Sequence, residues 1–314
     1  MKIKTIKFCS LFLYVLLIFQ LVSAFPISFS NKNETLIVKD SDAITGLPNR
    51  FRDLTNLNIS GSAQFTPSQI ENIKNSINKP DICIVDLRQE SHGFINDLAI
   101  SFYSIGKDLN NGFTTEETIS TEDKLLNSIK QNSQINIYDK LGKVLTNITV
   151  DSVSTENNAI NKNGLKYQRF AVKDGGIPST TVIDDFVDFI KNKPEGQHLH
   201  FHCDAGEGRT TTFMVLYQIM TDNGNLSLDQ ILCYQYNMGG ITLTDDVDRA
   251  YFLNAFYNYV EENKTDNYSI KFSQWIKQWK YGAEKIQLRI FFNFLLQLKQ
   301  LYEYALLNIL SHLH

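Results

Sequence analysis

Residues 200–213, HFHCDAGEGRTTTF, place a thiol, several small residues and a guanidinium within one short stretch. The apolar, histidine-containing run up to His202 predicts a strand, and the residues from Arg209 onward predict a helix. Cys203 opens the tight loop between the two. Backbone N–H groups of such a loop and the N-terminus of the following helix converge on one point, which favours an anion. The stretch therefore predicts an anion site with a thiol at its base.

The residue types of this loop suit a phosphate group. Small residues let the backbone close around an anion without Cβ clashes, and Arg209 offers a planar fork that matches two phosphate oxygens. The same positive field favours the ionised form of Cys203, and a thiolate held in a phosphate site attacks phosphorus. Thr210 can donate a hydrogen bond to that sulfur. The predicted substrate-binding loop consists of Asp204, Ala205, Gly206, Glu207, Gly208 and Thr210.

Other sites with similar residues fit this stretch less well. A Walker A loop requires Lys after its last Gly, whereas Gly208 is followed by Arg209. A Cys–His protease would have no use for a phosphate-shaped loop. The sequence thus favours phosphoryl chemistry over nucleotide binding and proteolysis.

The composition of the 314-residue chain is that of a globular protein, with 43% hydrophobic and 20% charged residues. A formal net charge of −4 argues against a broad basic surface, so no nucleic-acid partner is expected. The chain contains no Cys-x-x-Cys pair, which argues against a structural zinc site of that kind. Cys83 and Cys233 lie in apolar segments typical of buried, unreactive thiols. Cys203 is therefore the candidate nucleophile.

The two ends of the chain differ from its middle. Three lysines precede an apolar run, and Val22-Ser23-Ala24 fits a small-residue cleavage site. Residues 1–24 are therefore predicted to be a signal peptide cleaved after Ala24, which implies export; an uncleaved membrane anchor is the alternative. Residues 282–314 are strongly apolar with helical spacing. This tail predicts a helix that contacts the domain, a partner or a membrane surface.

Strands alternate with helices through the middle of the chain, which predicts an α/β sheet with helices on both faces. The predicted strands cover residues 33–40, 81–87, 166–172 and 198–203. The predicted helices cover residues 66–77, 121–130, 178–192, 209–220, 227–237 and 245–263. Residues 135–153 alternate in polarity around a turn at 139–142, which predicts a small β insertion at about 132–165.

The extended stretch HFHCDAGEGRTTTFM resembles the signature of the protein tyrosine phosphatase-like phytases, which are cysteine inositol phosphatases. Further similar blocks are NISGSAQFT, VDLRQESHGFIN, YQRFAVKDGGIPS, NMGG and DNYSIKFSQWIKQW. The resemblance spans about residues 44–279. It implies a protein tyrosine phosphatase-like central sheet flanked by helices, within a domain at residues 25–281 that carries the β insertion.

The resemblance also implies a mechanism and its residues. Cys203 attacks phosphorus to form a cysteinyl phosphate, and Arg209 with the loop amides holds the equatorial oxygens. Asp174 matches the general acid, which later acts as base on water. No metal or other cofactor is required. The expected supporting residues are His202, Arg88 and His92, and the expected basic rim consists of Lys173, Arg52 and Lys107.

The expected substrate is an inositol polyphosphate, and three departures from the family pattern bear on it. Gly175 follows the acid where the family has His, and Glu207 puts a carboxylate at the loop mouth. Acidic ITLTDDVDRA replaces a lysine-rich stretch. A protein tyrosine or dual-specificity phosphatase, a phosphoinositide phosphatase and an inactive inositol-phosphate-binding module remain alternatives.

Two groups of residues admit a structural as well as a functional interpretation. His198, His200 and His202 alternate and face the same way, so they are either metal ligands or, as we favour for at least one of them, core histidines with a backbone partner. Gln235 either orients the hydrolytic water or lies on a helix surface.

Overall fold

The structure, a computed structural model, describes residues 35–40, 46–104, 109–222 and 224–279. The predicted signal peptide with its cleavage site at Ala24, the tail 282–314 and Lys107 lie outside these ranges. The strands are β1 (Leu36–Lys39), β2 (Arg52–Leu54), β3 (Ile59–Ser62), β4 (Ile82–Arg88), β5 (His92–Ile95), β6 (Leu98–Tyr103), β7 (Gln134–Tyr138), β8 (Val144–Thr149), β9 (Val153–Ser154), β10 (Lys166–Val172) and β11 (His198–His202). The helices are α1 (Ile70–Ile77), α2 (Thr115–Ser128), α3 (Glu156–Lys162), α4 (Thr180–Asn192), α5 (Gly208–Thr221), α6 (Leu228–Asn237), α7 (Val247–Asn263) and a last helix, α8, at residues 272–279.

A five-stranded sheet with the order β10-β4-β11-β3-β2 carries the candidate site. The first four strands are parallel, and β2 pairs antiparallel with β3. Helices cover both faces, so β4 and β11 are buried along their whole length. Because β10, β4 and β11 are parallel, their carboxyl ends meet at one edge of the sheet. This edge gathers the residues that follow the three strands.

The predicted β insertion is part of a larger, six-stranded sheet with the order β8-β7-β1-β6-β5-β9. Strand β1 pairs antiparallel with β6 and parallel with β7. The six-stranded sheet therefore combines residues that precede β4 in the chain with residues that follow it. The hairpin β5–β6 was not predicted, because its polar residues lack a clear alternation. This arrangement brings the β7–β8 turn beside the carboxyl edge of the five-stranded sheet.

Helix starts follow the capping residues. Thr66 and Gln69 form a capping box at the start of the predicted helical stretch 66–77. Helix α2 starts at Thr115, earlier than the predicted residue 121, because Thr114 and Glu117 form a second capping box with N–H···O distances of 2.9 and 3.2 Å. Apolar periodicity alone predicts this helix only from residue 121, whereas the polar capping residues mark its start at Thr115.

Helix α5 lies in the middle of the protein. Residues 209–220 are all buried, because the helix contacts β3 and β11 on one side and α6 and α7 on the other. Phe213 on this helix packs edge-on against Phe186 of α4, with ring centroids 5.0 Å apart. Burial on every side holds the first turn of α5 in place, and the candidate loop ends at that turn.

Candidate active site

Cys203 directly follows β11 and its side chain is 2% exposed. The loop that it opens leads into α5 at Gly208, as the sequence predicts. Thr210, in the first turn of α5, donates a hydrogen bond from Oγ1 to the Cys203 sulfur at 3.2 Å. A hydroxyl donor and a helix N-terminus thus both face the thiol.

The predicted substrate-binding loop, which follows Cys203 and is called the phosphate loop below, packs directly on the end of β3. Gly206 has a φ of +72°, and a Cβ at this position would lie 2.4 Å from the amide nitrogen of Ala63, so a side chain does not fit. The amide of Gln64 donates to the carbonyl of Asp204 at 3.0 Å. The backbone after β3 therefore holds the loop from one side.

Arg209 is buried and forms a two-pronged ion pair with Glu90. Its Nη1 and Nη2 lie 2.5 and 2.8 Å from the two carboxylate oxygens, and Nη1 also donates to the carbonyl of Val172 at 3.1 Å. Burial acts to lower the pKa of Arg209, but Glu90 and the Cys203 sulfur outweigh it and raise that pKa. Burial likewise acts to raise the pKa of Glu90, yet Arg209 and Arg88 hold it far below its ordinary value. Glu90 fixes the plane of the guanidinium.

Asp174 reaches the same guanidinium. Its Oδ1 accepts a hydrogen bond from Arg209 Nη2 at 2.8 Å, although 73% of its side chain is exposed. The turn that carries Asp174 follows β10, and Arg249 of α7 donates to the carbonyl of Gly175 in this turn at 3.2 Å. The structure thus brings together Cys203, Arg209 and Asp174, the three residues that the sequence selects for chemistry.

Both acidic residues of the loop are paired with cations from other segments. Lys140 Nζ, in the β7–β8 turn, lies 2.5 Å from Oδ2 of Asp204. Arg50 Nη2, in the turn before β2, lies 2.6 Å from Oε1 of Glu207. Sequence reasoning missed Lys140 and Arg50, because neither lies in a recognisable motif. These two cations offset the negative charge that Glu207 and Asp204 bring to the loop.

Of the three basic residues proposed for the rim, the two in the described part of the chain occupy different places. Arg52 is 7% exposed and lies behind the loop, where it donates to the carbonyl of Gly206 at 3.0 Å and to Oγ1 of Thr211 at 3.2 Å. Burial lowers the pKa of Arg52 to about 10. Arg52 therefore supports the loop and does not line its mouth, whereas Lys173 is exposed beside Asp174.

Arg88 and His92 belong to a buried network behind the loop, where the sequence placed them. Arg88 binds Oδ2 of Asp40 at 3.0 Å and Oε1 of Gln64 at 2.7 Å. His92 Nε2 lies 3.3 Å from Oδ2 of Asp86. Burial acts to lower the pKa of His92, but Asp86 and Glu122 raise it to about 10. Since Gln64 also contacts the phosphate loop, Arg88 braces that loop through one intermediate residue.

His202 contacts a carboxylate that sequence reasoning missed. Its Nε2 lies 2.7 Å from Oε1 of Glu156, at the start of α3, and neither side chain is exposed. Gln64 Nε2 donates to the other oxygen of Glu156 at 2.8 Å. Burial acts to raise the pKa of Glu156, but His202 and His92 lower it to about 2. The residue before Cys203 is therefore held by a short side-chain contact with Glu156, which follows strand β9.

The other two histidines of β11 are core histidines, and their partners are serine hydroxyls where a backbone partner was expected. Ser60 Oγ lies 2.8 Å from both His198 Nε2 and His200 Nδ1, and Ser62 Oγ lies 3.0 Å from His200 Nε2. Burial lowers the pKa of His198 to about 4 and that of His200 well below its ordinary value. Both rings are neutral at pH 7 and link β11 to β3 through serines.

In the described part of the chain, Asp86, His92 and Glu156 form a cluster with the spacing of metal ligands. Their ligand atoms lie within 4.8 Å of one another. Two protein groups already bind Oδ2 of Asp86, namely Arg169 Nε at 3.2 Å and Tyr167 OH at 2.6 Å. Arg169 and the imidazolium of His92 also balance carboxylate charge in this cluster. We therefore describe it as an ion-pair network.

Two further side chains lie elsewhere than the sequence suggests. Gln235 is 1% exposed and pairs with Gln218 at 2.7 Å in the interface of α5 and α6, so it neither faces the loop nor lies on a surface. Cys83 is buried, as predicted, and burial raises its pKa to about 12. The prediction for Cys233 is wrong, because this residue is exposed on α6.

A cavity of about 210 Å³ lies between the six-stranded sheet and the phosphate loop. Its walls combine charged residues beside the loop with neutral hydrogen-bonding groups of β6 and the following segment. The walls include Lys140, Lys173, Asp174, Asp204, Ser101, Tyr103 and Asn111. Asp174 and Asp204 belong both to this cavity wall and to the candidate site.

The family model of the protein tyrosine phosphatase-like phytases, described by the words inositol hexakisphosphate, matches residues 85–221. The resemblance to this family that the sequence motifs imply is thus confirmed over residues 85–221. A tandemly repeated family member from Mitsuokella multacida is 30% identical and superimposes with a TM-score of 0.72 over 79% of this chain and 50% of that one. The family member from Bdellovibrio bacteriovorus is 28% identical, with a TM-score of 0.67 over 80% of this chain and 98% of that one.

One relative in sequence is named as an effector protein and not as a phytase. The effector protein hopD2 of Pseudomonas syringae pathovar tomato is 26% identical over 243 residues, which are 71% of this chain and 52% of that protein. The chain thus spans about half the length of hopD2 and of the Mitsuokella multacida protein. The fold of this chain is the mixed α/β fold of the phytase-like family, as the resemblance in sequence implied.

Proposed function

We propose that this chain is a cysteine-dependent phosphomonoesterase that hydrolyses inositol polyphosphates through a cysteinyl-phosphate intermediate. One observation carries the proposal: the Cys203 sulfur, the Arg209 guanidinium and the Asp174 carboxylate converge at the carboxyl edge of one sheet. A nucleophile, an anion-binding group and an acid at one point are the minimum set for phosphoryl transfer to water.

In the proposed first step, the Cys203 thiolate attacks phosphorus and the bond from phosphorus to the substrate oxygen breaks. Asp174 gives its proton to that oxygen, since an inositol alkoxide is a poor leaving group. Arg209 and the loop amides bind the equatorial oxygens most strongly in the transition state. In the second step, Asp174 removes a proton from water, which attacks phosphorus and releases phosphate and the thiolate.

The cavity beside the loop supports a substrate that carries several polar groups. Its neutral donors and acceptors suit ring hydroxyls, and Lys140 and Lys173 suit further phosphates. A related Mitsuokella multacida phosphatase, 29% identical with a TM-score of 0.71, has been crystallised with myo-inositol-(1,3,4,5)-tetrakisphosphate. We therefore propose inositol polyphosphates as the substrate class.

Phosphate release from three substrates tests the proposal: inositol hexakisphosphate, a phosphotyrosine peptide and vesicles that contain a phosphoinositide. We expect the highest kcat/KM for inositol hexakisphosphate, with Cys203→Ser as the inactive control. Higher kcat/KM for either of the other substrates would overturn the substrate class but not the chemistry. Tight binding of inositol hexakisphosphate without any phosphate release from the three substrates would favour an inactive binding module.

Exposed apolar side chains near the loop favour a second candidate, a phosphotyrosine protein. Leu141, next to Lys140, is 88% exposed, and Val247, two positions before Arg249, is 80% exposed. Such side chains would contact an aromatic ring or a peptide better than a polyphosphate. The peptide in the assay above decides between the two candidates.

We also propose that the chain is exported, with cleavage after Ala24. The predicted signal peptide and the name of the relative hopD2, an effector protein, support this proposal. Among the described residues, no helix has both the length and the apolar character that a membrane span needs. N-terminal sequencing of protein recovered outside the producing cells should start at Phe25, and a chain that begins at Met1 would contradict cleavage.

A further inference from the structure

The phosphate loop contains two carboxylates that would repel a polyanion, and each is paired with a cation that a separate segment supplies. Asp204 directly follows Cys203, and Glu207 lies two residues before Arg209. Lys140 pairs with the first at 2.5 Å, and Arg50 pairs with the second at 2.6 Å. We propose that Arg50 and Lys140 determine specificity by binding the phosphates that flank the scissile phosphate of a multiply phosphorylated substrate. This inference rests on the proposed function and names the residues that would select its substrate.

Backbone contacts place Lys140 beside the loop before a substrate arrives. In the β7–β8 turn, the side chain of Asp139 accepts hydrogen bonds from the amides of Leu141 and Lys143 at 2.9 and 2.8 Å. Gly142 adopts a φ of +82°, which closes the turn. These contacts define the conformation of the turn that carries Lys140, and the Lys140 side chain also forms part of the cavity wall.

Backbone contacts also fix Arg50. It has a φ of +54°, which few residues other than Gly adopt, so the surrounding contacts impose this conformation. Its carbonyl accepts a hydrogen bond from Arg52 Nη1 at 3.2 Å, and Arg52 in turn binds the loop carbonyl of Gly206. The carbonyl of the preceding Asn49 accepts from the amide of Ala63 at 2.9 Å. Arg50 is thus fixed to the backbone that supports the loop.

Both cations keep donors for a ligand. An ammonium has three N–H donors and a guanidinium has five, while each contact described here joins one nitrogen to one carboxylate oxygen. The side chains of Lys140 and Arg50 are 55% and 44% exposed, so a ligand over Cys203 can reach them. A cation between a loop carboxylate and a substrate phosphate attracts both, which removes the repulsion that Asp204 and Glu207 would otherwise exert.

A purely structural role for the same two ion pairs makes a different prediction. If Lys140 and Arg50 only held the loop in shape, their loss would weaken the binding of a single phosphate as much as that of a polyphosphate. If they bind flanking phosphates, their loss would weaken the binding of the polyphosphate and leave the binding of a single phosphate unchanged. The comparison of two ligands in one protein therefore separates the two roles.

The experiment measures competitive inhibition of p-nitrophenyl phosphate hydrolysis by inositol hexakisphosphate and by inorganic phosphate. We expect Lys140→Ala and Arg50→Ala each to raise the inhibition constant of inositol hexakisphosphate about tenfold, as for rim charges, and the double variant about a hundredfold. The inhibition constant of inorganic phosphate should change less than about twofold. Lys143→Ala, which removes an exposed cation from the same turn, serves as the matched control and should change neither constant.

Two results would overturn the inference: an equal rise for both inhibitors, which indicates a structural role, or no rise for inositol hexakisphosphate. Inhibition is measured whether or not the polyphosphate is hydrolysed. Failure of the proposed function, seen as no phosphate release from inositol polyphosphates by the wild-type chain, is therefore a separate result.

Discussion

Arg209 and Asp174 are joined by a hydrogen bond of 2.8 Å from Nη2 to Oδ1, while both terminal nitrogens of Arg209 also bind Glu90. The proposed acid thus contacts the proposed phosphate-binding group. Asp174 is 73% exposed and Glu90 only 26%, so the contact with Asp174 is the weaker of the two. A phosphate dianion over Cys203 would compete for the same nitrogen and leave Asp174 beside the departing oxygen.

Replacing Cys203 by Ser should abolish turnover and preserve substrate binding. A serine hydroxyl is far from ionised at neutral pH and is a much weaker nucleophile than a thiolate. We expect less than about 1% of wild-type kcat, together with an unchanged dissociation constant for inositol hexakisphosphate. Activity well above that level would show that another group attacks phosphorus.

Replacing Arg209 by Lys should lower kcat by about a thousandfold. An ammonium cannot bind Glu90 through two nitrogens and present a planar pair of donors to phosphate at the same time. Steady-state kinetics on p-nitrophenyl phosphate measures the loss, and thermal unfolding shows whether the variant still folds. Near-normal kcat in a folded variant would mean that the loop amides suffice.

Replacing Asp174 by Asn should lower kcat on an inositol polyphosphate by roughly two to four orders of magnitude, because the alkoxide must be protonated. The loss on p-nitrophenyl phosphate should be much smaller, since nitrophenolate is stable as an anion. Kinetics on both substrates at several pH values should also show that the basic limb of the polyphosphate profile disappears in the variant.

An equal loss on the two substrates, with an unchanged pH profile, would limit Asp174 to a structural role in its turn. Two other carboxylates that could be tested as the acid are already engaged. Asp184 accepts a hydrogen bond from the amide of Ser273 at 3.0 Å, and Asp204 pairs with Lys140. That result would make Asp204 the next residue to replace, since it alone of these two lies in the loop.

Activity should survive excess EDTA and should be lost to a thiol-alkylating reagent, with inorganic phosphate protecting Cys203. The expectation follows from a mechanism in which the protein's own cations bind phosphate. Phosphate release before and after dialysis against EDTA measures it. Loss of activity that zinc restores would instead assign a metal to the cluster of Asp86, His92 and Glu156.

Replacing Glu156 by Gln should reduce the free energy of unfolding at pH 7 by about 3 kcal/mol, because it leaves His202 and its neighbours without a buried counter-ion. The pKa of Glu156 is lowered from 4.5 to about 2, so its contribution is complete above pH 4.5 and is lost as the pH falls toward 2. The difference between wild type and variant should therefore shrink over that interval.

Urea unfolding at a series of pH values measures this difference. Glu71→Gln, which removes an exposed carboxylate on α1, is the matched control and should leave stability nearly unchanged. A difference that stays constant from pH 7 to pH 2 would show that the lost ion pair is not the cause.

Local order in the sequence was sufficient to predict the chemistry of the loop. Cys203, the small residues and Arg209 are neighbours in the chain, and a strand followed by a tight loop and a helix places them around one point. Capping residues and apolar periodicity likewise predicted most helices, because both are properties of a few consecutive residues. The hairpin β5–β6 escaped prediction, because its polar residues lack a clear alternation, and its place between β1 and β9 depends on strands distant in the chain.

Only the tertiary structure decided which charged residues act together. Glu90 reaches Arg209 across 119 positions, and Lys140 reaches Asp204 across 64. Glu156 similarly reaches His202 from the other side of the β insertion. An ion pair depends on distance in space and on burial, and neither is encoded in the spacing of two residues so far apart along the chain. The sequence therefore determined the reactive loop, and the packing of the two sheets determined its counter-ions, its support and its rim.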